Sequence, residues 1–230
     1  MVDDRILLLE DDPNLGFVIR EHLEAHGFSV MLRANGVDGL TETSKARFDL
    51  LLVDVMMPKK DGFTFTKEFR AKDTATPIIF LTAKALKEDR VQGFRIGGDD
   101  YVTKPFSIDE LLLRIKAVLR RTKGAVPADD GEGTYRIGKL TFDARRQLLT
   151  GAKTEQNLTS REAQLLRMLA SRPNRLVERT EILKSVWGDD TIFNGRSLDV
   201  FVSKLRKYLA ADPAVEIKSA HGKGYRLVVP

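Results

Sequence analysis

The 230-residue chain contains no cysteine. That excludes disulfides, thiolate catalysis and cysteine-ligated zinc. Histidine is scarce: His22, His26 and His221 are the full set, too few for a metal site built from imidazoles. There is no run of about 18 or more apolar residues, so no segment reads as a membrane span. The opening MVDDRILLLEDD is acidic, where a signal peptide carries a basic stretch before its apolar run. These absences predict a cytoplasmic protein with no membrane partner.

What is present describes an ordinary globular chain, with 42% hydrophobic and 31% charged residues. Its length favours two domains over one. The net charge of +5 is unevenly spread. Residues 1–121 carry 19 Lys and Arg against 20 Asp and Glu, whereas residues 122–230 carry 19 against 13. A near-neutral half joined to a basic one suggests that only the second meets a polyanion.

In the first half, Ile6–Leu9, Phe28–Leu32, Leu50–Val53, Ile78–Leu81 and Tyr101–Val102 predict short strands. Amphipathic stretches alternate with them, such as Leu15, Val18, Ile19 and Leu23, then Leu111, Leu112, Ile115 and Leu119. Five βα repeats imply a doubly wound parallel sheet with helices on both faces. The segment KGAVPADDGEGT (Lys123–Thr134), rich in Gly, Asp and Pro, reads as flexible and places a linker at residues 122–133. It separates a domain at 1–121 from one at 134–230. In the latter, short antiparallel strands precede helices at Ser160–Ala170, Arg179–Trp187 and Arg196–Leu209, and EIKSAHGKGYRLVV forms a closing hairpin. Thr159 and Glu162 suit a capping pair for the first of these helices.

In an open parallel sheet, chemistry collects beyond the carboxyl ends of the strands. Glu10, Asp11 and Asp12 follow the first strand, Asp54 ends the third, Thr82 ends the fourth and Lys104 follows the fifth. Converging carboxylates call for a hard cation, and oxygen ligands suit Mg²⁺. A lysine and a hydroxyl beside them could stabilise phosphoryl oxygens. The plainer reading makes these acids helix caps. It is the better one for Asp12, which precedes Pro13, and a poor one for Asp54, because Val55, Met56, Met57 and Pro58 do not start a helix at once.

ILLLEDD, LLVDVMMPKKDG, IIFLTA and DDYVTKPF, in this order and spacing over about Asp4–Arg121, closely resemble the receiver domain of response regulators. The resemblance implies a CheY-like, flavodoxin-like fold and phosphorylation of Asp54 by a sensor histidine kinase. It implies that Glu10, Asp11, Asp54 and the Met56 carbonyl surround Mg²⁺, and that Lys104 pairs with the phosphoryl group through a cis Lys104–Pro105 peptide. Thr82 and Tyr101 resemble the family's switch pair. A half-buried ring with a wet hydroxyl is the ordinary alternative for Tyr101.

Leu158–Val228 resembles the winged helix-turn-helix effector domain of the OmpR/PhoB subfamily, through SREAQLLRMLA, RSLDVFVSKLRKYL and HGKGYRL. That α+β domain would begin with four antiparallel strands over Tyr135–Leu158 and end in the hairpin, or wing. On Arg196–Leu209, Leu198, Val202, Leu205 and Leu209 form an apolar stripe. Arg196, Ser197, Val200, Ser203, Lys204, Arg206 and Lys207 are the candidate DNA contacts, with His221, Lys223 and Tyr225 on the wing. Lys218 and Arg226 add charge there, and Tyr225 also reads as a packed ring. Taken alone, such a helix is more often a solvated basic face; the preceding helices and following hairpin favour the major groove. The loop Gly188–Gly195, with Asp189, Asp190 and Phe193, corresponds to the loop the subfamily uses on RNA polymerase.

The subfamily also implies a homodimer formed on phosphorylation, through Arg90, Asp99, Asp100, Glu110, Arg114 and Lys116. Arg90–Glu110 and Asp100–Arg114 would be the intersubunit pairs, while Arg95 stands where an acid partner for Lys116 is expected. The ordinary reading of such charges is a solvated surface. The leading expectation is therefore a promoter-binding transcription regulator, not an enzyme beyond self-phosphorylation and autodephosphorylation. A phosphorylation-independent regulator and a Mg²⁺-dependent phosphohydrolase are the alternatives. The latter needs a substrate pocket and a general acid that the sequence does not reveal.

Overall fold

The computed structural model describes residues 4–83, 87–123, 133–152, 154–187 and 192–230, with the side chains of 87–91, 121–123 and 192–196 outside that description. Two compact units divide the chain, Met1–Ala125 and Val126–Pro230.

In the first unit, β1 (Asp4–Leu9), β2 (Phe28–Arg33), β3 (Leu50–Asp54), β4 (Ile78–Thr82) and β5 (Asp100–Thr103) form a parallel sheet in the order β2-β1-β3-β4-β5. The helices α1 (Pro13–Ala25), α2 (Gly36–Lys45), α3 (Gly62–Arg70), α4 (Lys87–Ile96) and α5 (Ile108–Lys123) follow successive strands. Every residue of β3 and β4 is buried, which is why their apolar runs are unbroken. Ile6, Leu8, Leu50, Leu52, Ile79 and Leu81 pack against Ile19 and Leu23 of α1 and Leu111, Ile115 and Leu119 of α5. Burying each such side chain contributes roughly 1.5–3 kcal/mol.

The register aligns the strand ends. Leu9 pairs with Val53, Asp54 with Leu81, and Thr82 with Thr103. Groups just past those positions therefore open onto one edge of the sheet. Asp12 caps α1, accepting hydrogen bonds from the Asn14 and Leu15 amides at 2.9 and 3.2 Å, with Pro13 in the first turn. Asp61 caps α3. The next residue must be glycine, because a Cβ on Gly62 would collide with the Asp54 carbonyl oxygen.

The second unit opens with a four-stranded antiparallel sheet, β6 (Thr134–Ile137), β7 (Leu140–Asp143), β8 (Leu148–Thr150) and β9 (Glu155–Asn157), in sequential order. The helices α6 (Ser160–Ala170), α7 (Arg179–Trp187) and α8 (Ile192–Leu209) follow. Thr159 and Glu162 form a complete capping box on α6. The closing strands β11 (Glu216–Ala220) and β12 (Gly224–Val228) pair as a hairpin, and the short β10 (Val177–Glu178) adds a third strand beside β12. A Cβ on Gly224 would collide with the Val177 carbonyl oxygen, so glycine permits this pairing. Leu165, Leu166, Leu169, Ile182, Phe201, Leu205, Ile217 and Leu227 are among the unit's buried residues. Among the described residues no helix is long and apolar enough to cross a membrane.

Candidate functional site

Aligned strand ends bring the acids and the lysine of the first unit together. Lys104 Nζ donates to both oxygens of Glu10, at 2.9 and 2.7 Å, and to Asp54 Oδ2 at 2.5 Å. Ligand oxygens of Glu10, Asp11 and Asp54 all lie within 4.8 Å of one another. Glu10 and Asp54 are buried, while Asp11 faces solvent. The Met56 amide donates to Asp54 Oδ1 at 2.9 Å, which orients the carboxylate. The Lys104 amide donates to the Thr82 carbonyl at 2.7 Å, and the Lys104–Pro105 peptide is cis.

Burial pushes the Glu10 carboxyl up to about 7; the Asp54 charge adds to this, and the Lys104 hydrogen bond opposes it. Burial alone would lower the Lys104 ammonium, but its bonds to Asp54 and Glu10 outweigh that and hold it above its ordinary value. Three carboxylates gather here, and one ammonium binds two of them. Their excess negative charge and hard oxygen donors fit a divalent cation.

Thr82 is fully buried at the end of β4. Tyr101 is 5% exposed, its ring 5.8 Å from Phe80 and 6.3 Å from Phe94. It is an inward ring, not a half-buried one. Beside the carboxylates a cleft of about 700 Å³ is lined by Asp11, Val55, Met56, Met57, Pro58, Asp61, Phe63, Thr64 and Gln92.

In the second unit, Leu198, Val202, Leu205 and Leu209 are buried as their stripe predicts. Ser203 and Lys207 of α8 are exposed and Val200 is half-buried. Three expected DNA contacts need correction. Ser197 is buried at 3% exposure, so its hydroxyl is not on display. Lys204 turns inward to Glu162 Oε1 at 2.7 Å, because that buried carboxylate requires a counter-charge. Tyr225 is a packed ring at 6% exposure. Arg206 is exposed, yet its guanidinium donates to the Ile217 carbonyl and the Ser219 hydroxyl, each at 2.8 Å. On the wing, His221, Lys223 and Arg226 are exposed, as is Lys218, which lies 3.7 Å from Glu216. The Arg196 side chain, and Asp189 and Asp190 of the expected polymerase loop, lie outside the described residues, as does the Phe193 side chain.

Comparisons with known proteins agree with both halves. Residues 6–116 match the family described as "Response regulator receiver domain", and 153–227 match "Transcriptional regulatory protein, C terminal". The chain is 50% identical over 226 residues to the transcriptional regulatory protein RprY of Bacteroides fragilis, covering 98% of this chain and 95% of that one. It belongs to the OmpR/PhoB-type response regulators. Among solved structures it resembles a mutant of RitR, with a TM-score of 0.81 at 26% identity over 99% of this chain and all of that one. The OmpR/PhoB homologue DrrB of Thermotoga maritima, 28% identical over the same shares, gives 0.53.

The response regulator therefore has a receiver domain and a DNA-binding domain, which implies a sensor kinase and DNA as partners. The expected dimer-face charges make several contacts within the chain. Arg114 bridges Asp100 at 3.4 Å and Glu110 at 3.0 Å within one chain. Asp99 is 2% exposed and pairs with the buried Arg70 at 3.0 Å, so it belongs to the interior of the regulator. Lys116 and Arg95 are exposed. Arg90 lies on α4 with its side chain outside the described set. Sequence reasoning also missed Asp199 and Arg179, which bind each other and Tyr225. The available signal was an acid on an otherwise cationic face of α8.

Proposed function

We propose that this response regulator is switched by transfer of a phosphoryl group from a histidine kinase to Asp54. An Asp54 oxygen attacks phosphorus, the donor's phosphorus–nitrogen bond breaks, and an acyl phosphate forms. The observation that carries the reading is Lys104 Nζ, within hydrogen-bond distance of Glu10 and Asp54 at once. A cation in that position can follow the charge from carboxylate to phosphoryl oxygen. Glu10, Asp11, Asp54 and the Met56 carbonyl would hold Mg²⁺, which when bound neutralises acids and phosphoryl oxygens that otherwise repel. Thr82 and Tyr101 form the switch pair. The only chemistry is self-phosphorylation and autodephosphorylation.

The receiver spans 1–121, a linker 122–133 and the effector 134–230. Phosphorylation pairs two receivers through the faces of α4, β5 and α5, and two effectors then bind promoter DNA. Arg196, Val200, Ser203, Arg206 and Lys207 of α8 are the contacts for the major groove, and His221, Lys223 and Arg226 of the wing add further DNA contacts. The protein works in the cytoplasm, and the segment 188–195 meets RNA polymerase. Intact mass after incubation with acetyl phosphate and Mg²⁺, beside Asp54→Ala, tests the switch. One added phosphoryl group that the variant lacks supports it; no adduct under conditions that modify a known receiver overturns it.

A further inference from the structure

Base-reading and backbone-gripping residues sit on different elements of the second unit, and two side-chain clamps join those elements. One is Arg206 of α8, on the Ile217 carbonyl and Ser219 of β11. The other centres on Asp199, about two turns into α8. The Tyr225 hydroxyl of β12 donates to Asp199 Oδ1 at 2.5 Å, and Arg179, the first residue of α7, donates to the same oxygen at 2.9 Å. Arg179 also reaches Asp199 Oδ2 at 3.4 Å and the Tyr225 oxygen at 3.1 Å. Its backbone amide donates to the Lys223 carbonyl at 2.8 Å, so the clamp extends to the wing turn.

An acid on a surface that meets phosphates repels its ligand. The Asp199 side chain is 55% exposed, so burial does not hide the charge, yet Arg179 neutralises it locally. We propose that Asp199 is a positioning residue for DNA recognition: it holds the wing and the start of α7 in register with α8, so that helix and wing engage one site together. This rests on the DNA-binding reading of α8 and the wing. Two recognition elements in fixed register bind a matching site as one unit, whereas loosely joined elements lose that advantage on the cognate sequence alone. The clamp consequently acts on sequence preference rather than on general attraction to DNA.

The test uses the full-length protein, a duplex selected by the wild type from a random library, and a scrambled duplex of equal length. Anisotropy titrations over a salt series compare the wild type with Asp199→Ala and with Tyr225→Phe, which removes one hydroxyl and keeps the ring. Each variant should lose about tenfold of its preference for the selected duplex, the scale of one charge-assisted hydrogen bond. In the charge-neutral Tyr225→Phe, affinity for the scrambled duplex should stay within about twofold and the salt slope should not change; Asp199→Ala also frees Arg179, so its scrambled-duplex affinity should hold or rise while its preference falls. Unchanged preference in both variants overturns the proposal. So does equal weakening on both duplexes in step with a lowered melting midpoint, which would make Asp199 a stability residue. A wild type that selects no sequence would remove the DNA-binding reading itself, and this inference with it.

Discussion

Lys104 Nζ lies 2.5 Å from Asp54 Oδ2 and 2.7 Å from Glu10 Oε2, so one ammonium joins the ends of three strands. Lys104→Ala should take up phosphoryl from acetyl phosphate on the order of 10²-fold more slowly than the wild type, the scale of losing one preorganised charge contact. Time courses of intact mass measure this. Uptake at the wild-type rate would show that the lysine only neutralises the resting acids.

The metal-free protein should carry a Glu10 carboxyl that titrates near 7 instead of 4.5, because burial disfavours its charge. A raised carboxyl binds its proton more tightly in the folded state. Its contribution to stability is therefore complete below about 4.5 and is lost as the pH rises through about 7. The receiver's melting midpoint should fall across that window in EDTA, and the fall should flatten in Glu10→Gln. Carbon-13 carboxyl shifts give the titration directly, and added Mg²⁺ should draw the midpoint down by favouring the ionised form.

Lys204 and Glu162 form an ion pair whose side chains are 17% and 2% exposed. Lys204→Ala leaves the carboxylate without its cation and should destabilise the effector by about 3 kcal/mol. Urea unfolding followed through Trp187, the sole tryptophan, reads that loss. Replacing the pair together, as Glu162→Gln with Lys204→Met, should recover much of it. A stable Lys204→Ala protein with weakened DNA binding would instead restore the lysine as a contact.

Lys207 is exposed on the same helix. Lys207→Ala should weaken selected and scrambled duplexes alike and reduce the salt slope by about one, as expected for a single phosphate contact. A loss confined to the selected duplex would make Lys207 a base reader.

Strand and helix positions were legible because each follows from local periodicity. The apolar runs of β3 and β4, the stripe from Leu198 to Leu209 and the Thr159–Glu162 cap are all statements about neighbours within a turn or two. The start of α8 was less so. It begins at Ile192, four residues ahead of the Arg196 start expected from the sequence; the apolar stripe used to place it starts only at Leu198. The two-residue strand β10 was not legible at all. Val177 and Glu178 become a strand only by pairing with Tyr225 and Gly224, which lie far along the chain.

Residue type and spacing, which are local properties, set the alternating architecture, the basic second half and the order of acids, threonine and lysine along the sheet edge. Packing between distant segments settles which charges are spent inside the protein. Lys204 and Lys207 look alike on a helical wheel, but a buried carboxylate 42 residues away captures only Lys204. Asp99 and Asp100 are adjacent, yet one meets Arg70 and the other Arg114. Lys104 finds Glu10 across 94 residues. Buried charge must be compensated wherever a partner can reach it, and reach is set by packing between distant segments.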